Sequence, residues 1–231
     1  MKKNERQLAL SVLQEADWLK DYSPALPQNL ISEGQFVGLN TGEWAQAEGD
    51  DRGGLYLVID GLLHTYYAPL GDRVIMVGLA EPGAVLGHAT RYSGGPRLVT
   101  AVCAEPSVIL EISENALDRV AAQSPEIWRA IADLTYNNMR RALRLAAEIV
   151  SLRPRERIAA RLVAIAKHDD TQKILTVKIS QELLAEMIGV TRKTVNQHLS
   201  AFEKDGLILV GYGRVDLIDL PKLKLISAGI V

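Results

Sequence analysis

The sequence contains one cysteine, four histidines and no long apolar run. Because Cys103 has no second cysteine to pair with, an internal disulfide framework and a multi-cysteine zinc or iron–sulfur site are excluded. No segment approaches the roughly 18 consecutive apolar residues that a membrane helix needs. The apolar stretch at residues 8–13 is short and lacks the cleavage site of a signal peptide. We therefore expect a cytoplasmic protein with no membrane partner.

The composition is otherwise that of a globular protein. Hydrophobic residues make up 48% of the chain and charged residues 23%, which is too apolar for a disordered protein. The length of 231 residues allows one or two domains. The net charge of −2 is unevenly distributed, since residues 1–123 carry −7, residues 124–153 carry +2 and residues 154–231 carry +3. Nucleic acid is the usual partner of a basic segment.

Short apolar runs separated by glycine turns dominate residues 36–112. The runs span residues 55–59, 62–67, 74–79, 98–102 and 107–112, with a turn at Gly71 and Asp72 between the second and third. Many short strands at a spacing of about 8–12 residues predict a β-sandwich or jelly roll. Residues 1–33 are predicted to be mostly helical or irregular.

From residue 124 to residue 152 the apolar period becomes helical. Ser124 suits the N-cap of this helix and Pro125 its first position. The first of two apolar stripes comprises Ile127, Ile131, Leu134, Asn138, Leu145, Ile149 and Leu152. The second comprises Trp128, Ala132, Thr135, Met139, Ala142, Ala146 and Ile149. We expect one stripe to pack on the β-domain and the other on the same helix of a second subunit, as a coiled coil, and we assign the first stripe to the dimer. The alternative is a single amphipathic helix lying across a large core.

Residues 180–204 predict a helix-turn-helix. Ser180 and Thr191 suit the N-caps of its two helices, and Gly189 suits the left-handed turn between them. The amino end of a second helix of this kind enters the major groove, where arginine, lysine, asparagine and glutamine hydrogen-bond base edges. The residues placed there are Thr191, Arg192, Lys193, Asn196 and Gln197, while Ser180 and Thr194 could hold phosphates. The alternative is an ordinary helical hairpin with solvated charges.

Two further signals flank this motif. Pro154 predicts a hinge at residues 152–154, followed by a helix from Arg155 to about Lys167. Residues 206–220 predict a hairpin with its turn at residues 211–214. A hairpin directly after a recognition helix is a wing, from which Arg214 could reach a phosphate.

The order β-roll, long helix, proline hinge and winged helix resembles the CRP/FNR family of bacterial transcription regulators. The resemblance is carried by residues 55–61 (LYLVIDG), 81–87 (EPGAVLG) and 179–207. It implies an α+β fold with a β-roll (double-stranded β-helix, or jelly-roll) sensor at residues 1–123, a dimerisation helix and hinge at 124–153 and a winged helix at 154–231. It also implies a homodimer on palindromic promoter DNA, RNA polymerase as a partner, and a signal in the β-roll that re-aims the DNA-binding heads. Lys193 stands where the family often has glutamate, so we expect a different target sequence.

The resemblance also places an effector pocket, which departs from the cyclic-AMP pattern. Its residues are Gly87, His88, Arg97, Leu98, Val99, Met139, Ala142 and Leu143. Cyclic-AMP-binding members carry a glutamate for the ribose and an Arg–Ser or Arg–Thr pair for the phosphate, where this chain aligns Leu98 and Val99. A shift of one residue would place Arg97 near the phosphate. A buried phosphate without a guanidinium is poorly compensated, so we expect a small molecule or other signal that is not cyclic AMP.

Other interpretations stay open. Haem could bind through His88 or His64, and Cys103 is either a small core residue or a redox thiol. His198 is expected to pack partly buried, and His168 has no metal-site spacing, so we predict no metal. An effector-independent regulator would use the β-roll only for dimerisation. A cupin-like enzyme needs two or three histidines on adjacent strands, but the four here are scattered and no catalytic motif occurs, so we do not expect an enzyme.

Overall fold

A computed structural model describes residues 2–51, 53–68, 74–89, 94–166 and 174–230. The turn predicted at Gly71 and Asp72, His168 and the predicted end of the hinge-following helix at Lys167 lie outside the described residues. The chain forms two compact units, Met1–Arg140 and Arg141–Val231. The helix α4 defined below belongs in part to each unit.

The amino-terminal unit is a β-roll bordered by helices. Its helices are α1 (Lys2–Glu15), α2 (Ala25–Glu33), α3 (Glu114–Gln123) and the first part of α4 (Ile127–Ser151). Its strands are β1 (Gln35–Leu39), β2 (Trp44–Gln46), β3 (Leu55–Asp60), β4 (Leu63–Tyr67), β5 (Ile75–Ala80), β6 (Val85–Leu86), β7 (Thr100–Cys103) and β8 (Ser107–Ile112). They form two antiparallel sheets in the orders β1–β8–β3–β6 and β2–β7–β4–β5. The predicted β-roll is confirmed.

Strand β3 is buried on both faces because its side chains alternate between two cores. Leu55, Leu57 and Ile59 pack against the helices, in a cluster that includes Leu13 and Leu26. The intervening side chains of β3 pack between the two sheets. Full burial of each leucine or isoleucine contributes roughly 1.5–3 kcal/mol, so this strand is the centre of the unit.

Helix α4 begins at Ile127, later than the sequence predicts. Ser124 is buried, and its hydroxyl accepts a hydrogen bond from the Asn29 side-chain amide at 2.9 Å. Its backbone N–H closes the end of α3 on the carbonyl of Val120 at 2.7 Å. The prediction that Ser124 caps α4 and that Pro125 opens it is therefore wrong, because Ser124 ends the preceding helix and residues 125–126 form a turn.

The carboxy-terminal unit contains three strands and four complete helices among its described residues. The elements are α5 (Pro154–Ile165), β9 (Leu175–Lys178), α6 (Gln181–Ile188), α7 (Arg192–Lys204), β10 (Ile208–Gly211), β11 (Arg214–Leu217) and α8 (Leu220–Ser227). The strands pair in the order β10–β11–β9. The sequence predicted the hairpin of β10 and β11 but neither β9 nor α8.

The start of α5 is fixed by a capping box beside the proline. The Glu156 carboxylate accepts the Arg153 backbone N–H at 2.8 Å and the Arg153 guanidinium at 2.6 and 2.9 Å. These bonds satisfy a donor that the helix leaves open, and Pro154 occupies the first helical turn, where its missing N–H costs nothing. The hydrogen bond from Arg153 lowers the pKa of Glu156 below its ordinary range.

Replacing Glu156 by glutamine should destabilise the protein by about 1 kcal/mol at pH 7. Because the folded pKa is depressed, the stabilisation by Glu156 is present above the unfolded carboxyl pKa and is lost as pH falls through the folded pKa. The difference between wild type and E156Q in urea unfolding should therefore shrink as pH falls below about 4.3. The control is E186Q on an exposed turn of α6, and a pH-independent difference would contradict the prediction.

Candidate DNA-binding site

The helix-turn-helix is built by local hydrogen bonds at its caps. The Ser180 hydroxyl accepts the Leu183 N–H at 3.1 Å, and the Thr191 hydroxyl accepts the Thr194 N–H at 3.2 Å. Gly189 has φ 67° and ψ 40°, the left-handed conformation that glycine adopts without a Cβ penalty. The predicted caps and turn are confirmed.

The packing of α6 and α7 leaves one face of α7 open. Its buried residues Val195, Leu199 and Phe202 lie in the core of the carboxy-terminal unit. Four long polar side chains in the first two turns of α7 are exposed, namely Arg192, Lys193, Asn196 and Gln197. Since these side chains carry donors and acceptors matched to base edges, the exposed face has the chemistry of a recognition helix.

Three hydroxyls predicted to contact DNA also serve the caps. Thr191 and Thr194 are hydrogen-bonded to each other through their Oγ1 atoms at 2.9 Å, and Thr194 is partly buried. Ser180 is exposed, and its oxygen accepts the cap bond. A hydroxyl that accepts a cap bond keeps its own hydrogen to donate, so Ser180 retains a donor for a phosphate oxygen.

The predicted wing is a hairpin with a two-residue loop. Gly211 pairs with Arg214, and Tyr212 and Gly213 form the loop, with φ 66° at Gly213. Tyr212 is fully exposed at its tip, a feature that the sequence analysis did not single out. A cleft of about 350 Å³ lies between this hairpin and the start of α6 and α7, and both Arg192 and Arg214 line it.

Each of the two arginines lies near a carboxylate, and of these two carboxylates that of Glu182 lines the cleft. Arg192 Nη1 lies 3.8 Å from Glu182 Oε2, and Arg214 Nε lies 3.7 Å from Asp216 Oδ2. The Thr176 hydroxyl donates a 2.6 Å hydrogen bond to the other oxygen of Asp216. Glu182 and Asp216 are charged residues of the site that the sequence analysis missed. The Glu182–Arg192 pair depends on how two helices cross, whereas Arg214 and Asp216 are two residues apart on one strand and so share a face of it.

Replacing Arg214 by alanine should weaken binding about equally on all duplex DNA. An arginine that contacts phosphate releases about one counterion, so the slope of log K against log salt should become less steep by about 0.9. Fluorescence anisotropy between 50 and 300 mM salt measures this slope. Lys204→Ala, at the carboxy end of α7, is the control and should leave the salt slope unchanged. An unaltered slope in R214A would contradict a phosphate contact.

The apolar stripe assigned to the dimer interface faces the protein's own core in its first half. Ile127, Ile131 and Leu134 are 0, 2 and 7% exposed and belong to the core cluster of the amino-terminal unit. Asn138 lies beside His88 of the same chain, at 3.2 Å between Nδ2 and Nε2. The assignment is therefore wrong for Ile127, Ile131 and Leu134, because the core of the amino-terminal unit covers them.

The second half of the same stripe is more open. Leu145 and Leu152 are partly buried, and Ile149 is 51% exposed. The most exposed apolar line of α4 is instead a seam of residues spaced alternately by four and three: Ala132, Tyr136, Met139, Leu143, Ala146 and Val150. A 4–3 spacing is the coiled-coil pattern. We call these six residues the α4 seam.

Only part of the predicted effector pocket comes together. Gly87 has φ 79°, and a Cβ there would lie 2.6 Å from the backbone oxygen of Gly54 and would displace the Arg97 guanidinium, so the position favours glycine. Arg97 is buried, donates to the Gly54 carbonyl at 3.1 Å and lies over the Tyr56 ring at 4.8 Å. Within the described residues its Nε and Nη2 atoms have no hydrogen-bond partner.

The other pocket residues are placed differently. Leu98, which an ungapped alignment places at the phosphate-binding arginine of cyclic-AMP-binding proteins, is 63% exposed and therefore does not line an enclosed pocket. Val99 is partly buried, and its carbonyl accepts a hydrogen bond from the Gln46 side chain at 2.8 Å. Met139, Ala142 and Leu143 are exposed, and the first and last of them belong to the α4 seam.

Cys103, His198 and His64 lie in ordinary packing environments. Cys103 is buried as a small core residue, and burial raises the pKa of its thiol. His198 is partly buried as predicted, and burial, with the charge of Arg155, lowers its pKa. His64 lies 3.4 Å from the Tyr66 hydroxyl. Across the described ranges there is no cluster of three histidine, cysteine or acidic side chains suited to a metal.

In the part of the chain that the structure describes, no helix is both long and apolar enough to span a membrane.

Two known domain families match the chain. Residues 36–124 match the cyclic nucleotide-binding domain family, and residues 156–226 match the Crp-like helix-turn-helix domain family. Together the two matches cover more than half of the chain.

Known proteins resemble the chain over most of its length. Transcriptional regulatory protein btr of Bordetella pertussis is 27% identical over 181 residues, which are 76% of this chain and 74% of that protein. The CRP-like cAMP-activated global transcriptional regulator of Mycobacterium tuberculosis is 24% identical over 201 residues, 85% of this chain and 90% of that one. A variant of CooA from Carboxydothermus hydrogenoformans shares the fold with a TM-score of 0.72 and 21% identity, over 93% of this chain and 97% of that one. The chain belongs to the CRP/FNR family of DNA-binding transcription regulators.

Proposed function

We propose that the protein regulates transcription as a homodimer bound to a palindromic promoter site, with the amino end of each α7 in a major groove. The observation that carries this proposal is the open face of α7, where four side chains able to read bases are exposed behind the Thr191 cap. Arg192 and Lys193 suit guanine, and Asn196 and Gln197 suit adenine. Arg214 and Ser180 hold phosphates beside them.

The α4 seam joins the two subunits. Tyr136, Met139 and Leu143 are more than half exposed in the single chain, and their 4–3 spacing favours packing against the same seam of a second copy. A dimer of this kind presents two recognition helices to half-sites about 34 Å apart, one turn of DNA. RNA polymerase is the further partner that membership of the family implies, and the protein works in the cytoplasm, where its DNA target lies.

The domains are a sensor at residues 1–123, a dimerisation helix and hinge at 124–153 and a DNA-binding domain at 154–231. A signal in the β-roll other than cyclic AMP switches the regulator. The buried Arg97 supports an anionic signal, because its Nε and Nη2 atoms lack partners within the described residues and a buried guanidinium gains from charge-assisted hydrogen bonds. The exposure of Leu98 supports a ligand other than cyclic AMP.

Selection of bound duplexes from a random pool tests the proposal. The full-length protein is used with and without a small-molecule extract of bacterial cells. The expected result is a palindrome with half-sites about 10 base pairs apart, recovered more strongly with the extract. Equal recovery in both pools would support the alternative, an effector-independent regulator. Failure of a folded dimer to select any motif in either pool would overturn sequence-specific binding.

A further inference from the structure

The glutamate that faces Arg192 lines the cleft beside the wing. Glu182 lies in the first turn of α6, and Arg192 is the first residue of α7. Their side chains approach to 3.8 Å across the cleft that the wing closes on its other side. A carboxylate at this place is unexpected for a surface that binds a polyanion, since it repels phosphate and weakens binding to every DNA sequence.

We propose that Glu182 is a positioning residue that holds the Arg192 guanidinium for contact with a base edge and disfavours its use on phosphate. The inference rests on the proposed base contact of Arg192. A guanidinium presents five donors in one plane. A carboxylate that engages one edge leaves another edge free to bond guanine O6 and N7. Glu182 therefore favours contact of Arg192 with a base over its contact with the phosphate backbone of DNA.

The pair gains importance when DNA binds. Both side chains are about two-thirds exposed in the free protein, and exposed ion pairs contribute only about 0–1 kcal/mol. DNA in the groove removes water from the cleft, and a charge pair strengthens as the local dielectric falls. On the correct site the attraction between Glu182 and Arg192 offsets the repulsion between Glu182 and phosphate. On other sequences, where Arg192 finds no guanine, the repulsion is uncompensated.

The neighbouring pair shows a different arrangement. Asp216 faces Arg214 on the wing, but a hydrogen bond from Thr176 also holds its carboxylate. Arg214 and Asp216 lie on the same strand, β11, whereas Glu182 and Arg192 come from different helices. The orientation of Arg192, a side chain proposed to contact a base, therefore depends on how the two helices cross.

The test is Glu182→Gln in the full-length protein, which removes the charge and keeps the shape of the side chain. Affinity is measured by anisotropy on the selected palindrome, on its single-base variants and on an unrelated duplex. We expect the ratio of specific to non-specific affinity to fall about tenfold, with preference relaxed at the base that Arg192 reads and the other positions unchanged. In an Arg192→Ala background the same substitution should not alter base preference.

Glu186→Gln is the matched control, because it removes the same charge from α6 one turn further on, away from the cleft lining. It should leave the base preference intact. The proposal would be overturned by an equal affinity change on all duplexes, by the same relaxation in E186Q, or by a relaxation that persists without Arg192. If Arg192→Ala relaxes preference at no base position, the proposed role of Arg192 fails. If R192A relaxes one base position and E182Q changes none, the role of Arg192 stands and the proposed role of Glu182 is overturned.

Discussion

Replacing Arg192 by alanine should lower affinity for the selected palindrome by about 1–3 kcal/mol in each half-site, which is roughly 5- to 150-fold for each of the two contacts. The loss should concentrate at one base position in each half-site, where discrimination against the other three bases disappears. The physical reason is the exposed guanidinium on the first turn of α7, which can form two hydrogen bonds with one guanine. Binding to duplexes that lack that guanine should change much less.

The measurement is a set of binding isotherms on the palindrome and on duplexes with one symmetric base change. Lys204→Ala provides the control, since it removes a positive charge from the far end of the same helix. Uniform weakening of R192A on every duplex, together with a smaller salt slope, would contradict base reading and would make Arg192 a phosphate contact.

The fold was predictable where its signals are local and long enough. The apolar runs of β3, β4 and β8 predicted strands because they exceed four residues and include β-branched and aromatic side chains. The strands β2 and β6 have three and two residues, too few for a period to emerge. Helix α3 has a local signal at its start that the sequence could have shown, since Ser113 caps it through the N–H of Ala116.

The candidate DNA-binding site was likewise predictable only where its signals are local. Caps and a left-handed glycine depend on a few consecutive residues, so Ser180, Gly189 and Thr191 could be assigned from the sequence. The pair of Glu182 and Arg192 depends on the crossing of two helices. Tertiary geometry therefore decides which charges meet.

The assignment of the first apolar stripe of α4 to the dimer interface was wrong in its first half for a different reason. Two stripes of α4 share the same period and similar apolarity, and only tertiary packing decides which of them the protein's own core covers. The core cluster that contains Leu13 and Leu26 also contains Ile127, Ile131 and Leu134, so the first stripe is occupied at its start. Asn138 was a signal against a continuous interface along that stripe, because a polar side chain interrupts it.

Replacing Leu143 by glutamate should shift the dimer toward monomer by roughly three orders of magnitude or more. In the proposed dimer both subunits contribute the α4 seam, so each dimer loses two apolar contacts of about 1.5–3 kcal/mol and gains two carboxylates near the seam. Leu143 is 64% exposed in the single chain, so the folded monomer should keep its stability within about 0.5 kcal/mol. Affinity for the palindrome should fall about 10²- to 10⁴-fold, because each head then binds its half-site alone.

Sedimentation equilibrium gives the dimer constant, and thermal unfolding at low protein concentration shows whether the monomer is intact. Arg144→Glu is the matched control, since it places the same side chain one residue along α4, about 100° around the helix from Leu143. R144E should remain dimeric, whereas L143E should not. A dimeric L143E would exclude the α4 seam as the contact and would leave another surface to join the subunits. A monomeric L143E with undiminished affinity for the palindrome would show that one head suffices, because the second half-site would then contribute nothing to binding.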